Sequence, residues 1–225
     1  MCGRFVIQAT WAEYRDYLTG FVPESAVGRN DPARYNVAPT QEVPFIINAE
    51  NGVEVKDGRW AYVPPQDKKL PKWPMINAKS ESVTPGNKWP WFGALGRSRC
   101  LIPASGYYEW TKADDKGKDP WAIHLPEWEP WAFAGLWAHN ETLDITSCTI
   151  ITAATPDGLE ISDLHNRIPV ILKPDQYETW MNPDTDLEGA AEALNHHRAN
   201  ELTAYRVSRA VNKNTAKGPE LIEPV

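Results

Sequence analysis

No run of this sequence is apolar over the length a membrane-spanning helix requires, and no apolar segment after Met1 has the form of a secretory signal core. Cysteine is scarce. Cys2, Cys100 and Cys148 make an odd number with no CxxC spacing, which argues against a disulfide framework or a zinc site and fits a reducing compartment. There is no glycine-rich phosphate loop, no HExxH, no internal repeat and no low-complexity tract. A soluble, cytoplasmic protein is predicted, with no membrane partner, no metal and no organic cofactor. Positive charge is in deficit as well: 23 Lys and Arg face 30 Asp and Glu, for a net charge of −7. That balance weighs against a nucleic-acid partner, since such domains are usually basic, but local placement can override it.

What is present suffices for one large domain spanning 1–225, with 42% hydrophobic residues and 11 Trp. Thr10-Trp11-Ala12-Glu13 has capping-box form and predicts a short helix through about Leu18. Residues 20–34 read as a surface loop. Strands are predicted at 43–47, 53–55 and 59–63, with Asp57-Gly58 as a hairpin turn. Further strands are predicted at 99–104, 106–110, 121–125, 131–138 and 148–154. Helices follow from Pro174 to about Met181 and from Asp186 to about Arg198. Strands dominate, and the helices do not fit a regular βαβ alternation. The expectation is an α+β fold with a curved, barrel-like, mainly antiparallel sheet and peripheral helices.

The most reactive position is the second. A small residue after Met1 favours removal of the initiator, so the mature chain is expected to begin at Cys2. An amino-terminal cysteine carries a thiol of pKa near 8.5 and an α-amine of roughly 7.7–8.0, so part of the amine is uncharged at neutral pH. Such a 1,2-aminothiol can form an imine with an aldehyde and then close through sulfur to a thiazolidine. The thiol can instead attack an acyl carbon with the amine as base. Cys2 as an incidental small residue at a frayed end is the bland alternative.

Elsewhere, Glu109 sits among aromatics in Gly106-Tyr107-Tyr108-Glu109-Trp110. Buried there, it suits a proton shuttle; strand alternation could equally turn it to solvent. His165 lies at a loop–strand junction and is the best acid–base candidate of five histidines, though a lone histidine is more often structural. The proline-rich segment 64–91 holds Ile76-Asn77-Ala78-Lys79-Ser80-Glu81 together with Trp73, Trp89, Trp91 and Phe92. These aromatics are either packing or a stacking surface for unpaired bases.

Five motifs in order, Met1-Cys2-Gly3-Arg4-Phe5, Arg34 to Thr40, Ile76 to Glu81, Cys100 to Trp110 and His165 to Leu172, closely resemble the SOS response-associated peptidase (SRAP) family over nearly the whole chain. The resemblance implies covalent capture of abasic sites in single-stranded DNA, shielding the lesion during the damage response, with autopeptidase-type exposure of the cysteine where residues precede it. Carried over position by position, it implies catalytic roles for Cys2, Glu109, His165 and Asn77. It implies DNA contacts at Arg4 and Asn36, and Lys79, Trp73 and Arg209 are added as candidate contacts. Single-stranded DNA bearing abasic sites is the expected partner and a monomer the expected state. Three departures stand out: Lys79 where the family usually has Arg, Ala61 for a glycine, and Ser105 where Asp is common. Lys79 keeps the charge but loses the bidentate fork. Two readings from other classes are an amino-terminal-nucleophile amidohydrolase such as a glutaminase, and a non-catalytic binder of modified DNA.

Overall fold

Thr10 opens the first helix, α1 (Trp11–Tyr17), with a complete capping box: the Glu13 amide donates to the Thr10 hydroxyl at 3.3 Å, and the Thr10 amide donates back to the Glu13 carboxylate at 2.7 Å. The computed structural model describes residues 1–225 apart from Met1, Thr19, 87–89 and Phe92. Trp11 and Tyr14, three apart on one face of α1, are buried. The other helices are short: α2 (Glu24–Val27), α3 (Ala94–Arg97), α4 (Tyr177–Met181) and α5 (Leu187–Ala193). Two were read differently from sequence: α2 lies inside the predicted 20–34 loop, and α5 ends short of Arg198. Past Ala193 the chain turns to bring Arg198 onto Glu129 at 2.5 Å and Glu201 at 2.7 Å. None of the described helices is long and apolar enough to cross a membrane.

Among the described residues twelve strands carry the fold: β1 (Phe5–Ile7), β2 (Arg34–Val37), β3 (Glu42–Ala49), β4 (Gly52–Trp60), β5 (Asn77–Lys79), β6 (Arg99–Ala104), β7 (Gly106–Lys112), β8 (Lys118–His124), β9 (Trp131–Asn140), β10 (Ile145–Ala154), β11 (Arg167–Pro169) and β12 (Thr203–Arg206). One sheet runs β12-β8-β7-β1-β2. In the other, β10, β4, β3, β6 and β9 pair in turn, and β9 returns to β10. The ring is closed but is not a regular barrel. β3 meets β6 at one register pair, Ile46↔Leu101, and β10 meets β4 in parallel over two pairs before β5 takes over that edge. The remaining pairings, β10 with β5 aside, are antiparallel. The α+β, mainly antiparallel expectation is therefore met.

The core lies where the sheets face one another. Phe5 meets Trp60 edge-on at 4.8 Å and Phe133 at 5.8 Å, and Trp60, Trp131 and Trp180 are fully buried. β6 is buried along its whole length, and the next residue but one starts β7 in the opposite sheet. Ser105 makes that switch, its amide donating to the Val6 carbonyl at 2.8 Å.

The predicted Asp57-Gly58 turn is a correction. β4 runs straight through it, and the hairpin closes seven residues earlier, where Ala49 pairs with Gly52 across Glu50-Asn51 and Gly52 takes φ 109°. Gly58 is glycine because a Cβ there would lie 2.8 Å from the Thr146 carbonyl oxygen and 2.9 Å from the Phe45 ring. Gly58→Ala should cost about 1–3 kcal/mol, readable as a lower melting temperature.

His124 gives the stability a pH dependence. It is buried and stacked flat on Trp128 at 4.3 Å, and Nδ1–H donates to the Leu125 carbonyl at 2.6 Å, leaving Nε2 buried with no partner among the described residues. Desolvation holds its pKa below the ordinary histidine value. With the folded value depressed, the unfolded chain takes the proton first, so this contribution is intact above about pH 6.5 and is lost as pH falls below it. Melting curves at pH 7.5 and 5.5 should show a smaller acid penalty in His124→Gln than in the parent.

Candidate active site

The amino-terminal segment enters between two partners. Phe5 pairs with Val37 of β2 on one side and with Tyr107 of β7 on the other. This register carries Cys2 into the interior, where it is fully buried. Its Sγ lies 3.7 Å from the Arg4 carbonyl, which also accepts the Tyr108 amide at 3.0 Å. The Cys2 carbonyl accepts from Asn77 Nδ2 at 2.8 Å. Residues 75 apart in sequence are thus joined at the candidate nucleophile.

β7 supplies the carboxylate. Glu109 is 4% exposed and close enough to act on Cys2 electrostatically. Its orientation was open from sequence because alternation distinguishes faces only when one face is wet, and β7 is buried at each position from Gly106 to Glu109. Burial first, then the Glu109 charge, push the Cys2 thiol far above its ordinary range, so it is held protonated.

Asn77 begins β5, which lies parallel to β10 with Asn77 opposite Ile150 and Lys79 opposite Thr152. Lys79 is exposed. On the other edge of β10, Arg167 of β11 faces Ala154. The two short strands are bolted together across β10: Arg167 donates to both Glu81 carboxylate oxygens at 2.6 and 3.0 Å and to the Thr152 carbonyl, while the Thr152 hydroxyl donates to the Ala78 carbonyl at 3.4 Å. His165 precedes this strap and is half-buried. Its Nδ1 accepts the Arg167 amide at 2.9 Å, so the neutral ring carries its proton on Nε2. Arg167 was visible in sequence only as part of a motif; its role as the tie between the two segments needed the fold.

Asn36 is buried behind Arg4, so it shapes the site without facing it openly. Its Oδ1 accepts from Arg4 Nη1 at 2.6 Å, and its Nδ2 reaches the carbonyls of Val211, Lys213 and Ala216 at 3.0–3.3 Å. Arg4 also donates to the Val211 carbonyl at 2.9 Å and to Asn214 Oδ1. These acceptors are all neutral, so the Arg4 charge meets no carboxylate among them. It lines an open groove of about 650 Å³ with Gly3, Pro39, Trp110, Lys116 and Lys118. Trp110, which sequence reading passed over, is anchored in this groove by a 2.6 Å bond from Nε1 to Asn212 Oδ1.

Four other arginines, Arg209, Arg206, Arg29 and Arg99, are held by partners within the protein. Arg209 is gripped by Asp115 at 2.5 Å and Asp119 at 2.8 Å, Arg206 also pairs with Asp119, and Arg29 pairs with Asp31 and Asp57. Arg99 is buried, donating to the carbonyls of Leu95, Trp180 and Asn182. Trp73 is 74% exposed, with the Lys72 ammonium 5.6 Å above its ring. Trp91 packs on Tyr62 at 5.2 Å, and Trp89 and Phe92 lie outside the described residues. Among the described residues no group of three or more His, Cys, Asp or Glu is placed to hold a metal.

The chain is similar to known proteins along almost its whole length. The family model described as SOS response associated peptidase (SRAP) matches residues 1–214. The abasic site processing protein YoqW of Bacillus subtilis is 37% identical, covering 99% of this chain and 99% of its own, and YedK of Escherichia coli, of the same description, is 31% identical over 100% of both. Among solved structures, a phage-related protein from Bordetella bronchiseptica superposes with a TM-score of 0.76 at 27% identity, covering 92% of this chain and 95% of that one. A match over almost the entire chain, with whole-length relatives above 30% identity, settles membership: this chain belongs to the SRAP family.

Proposed function

We propose that this protein captures abasic sites in single-stranded DNA covalently through Cys2, forming a thiazolidine that shields the lesion. The observation that carries this reading is a cysteine at position 2 whose carbonyl is held by Asn77 beside a buried Glu109. The naming of YoqW and YedK as abasic site processing proteins supports it.

The chemistry follows from the aminothiol. With Met1 removed, or released by autopeptidase-type cleavage where more residues precede it, the Cys2 nitrogen adds to the ring-opened C1′ aldehyde to give a carbinolamine. Loss of one water leaves an imine. The sulfur then bonds to C1′ and the thiol proton passes to the imine nitrogen, closing the five-membered ring. The protonated thiol dictates this order, since nitrogen can attack while sulfur is still neutral. Glu109 moves protons at the Cys2 amine, and His165, with its proton on Nε2, assists opening of the sugar. Asn77 holds the sugar and Cys2. Arg4 and Lys79 offer charge to flanking phosphates, Trp73 offers a face for a base, and Asn36 sets Arg4. Arg209, neutralised by two carboxylates, contributes least. The protein acts as a monomer in the cytoplasm, associated with the nucleoid when bound to DNA.

The test is incubation with single-stranded DNA carrying one abasic site, followed by denaturing electrophoresis, intact mass and peptide mapping. The expected product has the summed mass of protein and DNA less one water, with the adduct on Cys2. An adduct on another side chain, or none, overturns the reading. Ammonia release from glutamine in its place would favour the amidohydrolase alternative.

A further inference from the structure

Two buried polar atoms near Cys2 have no hydrogen-bond partner among the described residues: the Tyr107 hydroxyl and Asn77 Oδ1. Tyr107 is 1% exposed, its ring packing near Phe133 at 6.5 Å. Leaving such a hydroxyl unpaired is destabilising, a cost that phenylalanine in the same space would not carry. Tyr107 and Glu109 are two apart on β7 and share a face, and Tyr107 is in register with Phe5 on the strand that Cys2 leads into. The phenol feels both the Glu109 carboxylate and the Cys2 thiol. An unpaired donor and an unpaired acceptor therefore attend the nucleophile, and a carbinolamine at C1′ offers a complement to each, an oxygen to accept and an N–H or O–H to donate.

We propose that the Tyr107 hydroxyl is a catalytic hydrogen-bond donor in this site, acting on the oxygen that leaves C1′ as the Cys2 carbinolamine collapses to the imine. The inference rests on the abasic-site reading above. In this step the C1′–O bond breaks, the oxygen takes a proton from the protonated Glu109, and Glu109 regains one from the Cys2 nitrogen, so that one water departs. Tyr107 gives up no proton. Burial, reinforced by Glu109 and Cys2, holds its own titration well above the ordinary tyrosine value, so it remains a donor throughout the working range.

The experiment compares Tyr107→Phe with the parent, measuring single-turnover crosslinking to abasic single-stranded DNA from pH 6 to 8.5 alongside thermal melting. The expected result is a crosslinking rate lower by about tenfold to a hundredfold at every pH, an unshifted pH profile, and an equal or higher melting temperature. A rate within twofold of the parent overturns the proposal. So does a lower melting temperature, which would mean that the hydroxyl has a structural partner, or a displaced pH profile, which would mean that it acts only by tuning Glu109. The parent protein in the same assay separates this failure from failure of the abasic-site reading: if the parent forms no adduct, it is that reading that falls.

Discussion

Cys2→Ala is expected to remove the denaturation-resistant adduct, lowering its yield at least about a hundredfold, while borohydride still traps a reduced imine. Alanine at position 2 permits removal of Met1 and keeps the α-amine, so the first bond can form but the ring cannot close. Without sulfur the imine reverts under denaturing conditions unless it is reduced. Serine should behave similarly, because its hydroxyl is a poorer nucleophile than a thiol. Acetylating the amino terminus of the Cys2 protein should remove both products. If Cys2→Ala instead left a stable band of full intensity, neither the ring nor the nucleophile would be as described.

Glu109→Gln should slow crosslinking by roughly 10²–10⁴-fold with little change in fold, since the amide has the size of the carboxylate it replaces. The same change should move the thiol in the opposite sense. The Glu109 charge is the second cause, after burial, that raises the Cys2 thiol, so removing it brings ionisation closer to neutral pH. Iodoacetamide labelling of Cys2 should therefore be unchanged or faster as crosslinking slows. A general loss of structure would not produce that divergence, and parallel slowing of both reactions would count against Glu109 as the proton carrier.

How much of this was legible beforehand depended on the reach of each interaction. The capping box at Thr10 and the Asp186 cap, whose carboxylate accepts the Gly189 amide at 2.7 Å, are local and were readable. The hairpin was misplaced because two glycines compete: Gly52 closes the turn across Glu50-Asn51, while Gly58 is required by Thr146, 88 positions away. Glu109 could not be oriented because its strand is covered on both faces. The motifs named Cys2, Asn77, Glu109 and His165, but the Asn77 bond to the Cys2 carbonyl depends on strand pairing that no spacing rule contains. Arg209 read as an available cation because its neutralising partners, Asp115 and Asp119, lie some 90 residues upstream. Tyr107 read as one more core aromatic, since an unpaired hydroxyl has no sequence signature.

Arg4 depends on Asn36, Val211 and Asn214, so the front of the molecule is secured by residues near its far end. During synthesis the reactive terminus emerges first, yet β7 is translated about a hundred residues later and the final clasp only with the last few turns of chain. Until then the segment that carries Cys2 lacks both the strand that Phe5 pairs with and the contacts that hold Arg4. The order of translation thus leaves this terminus unsecured until the chain is nearly complete.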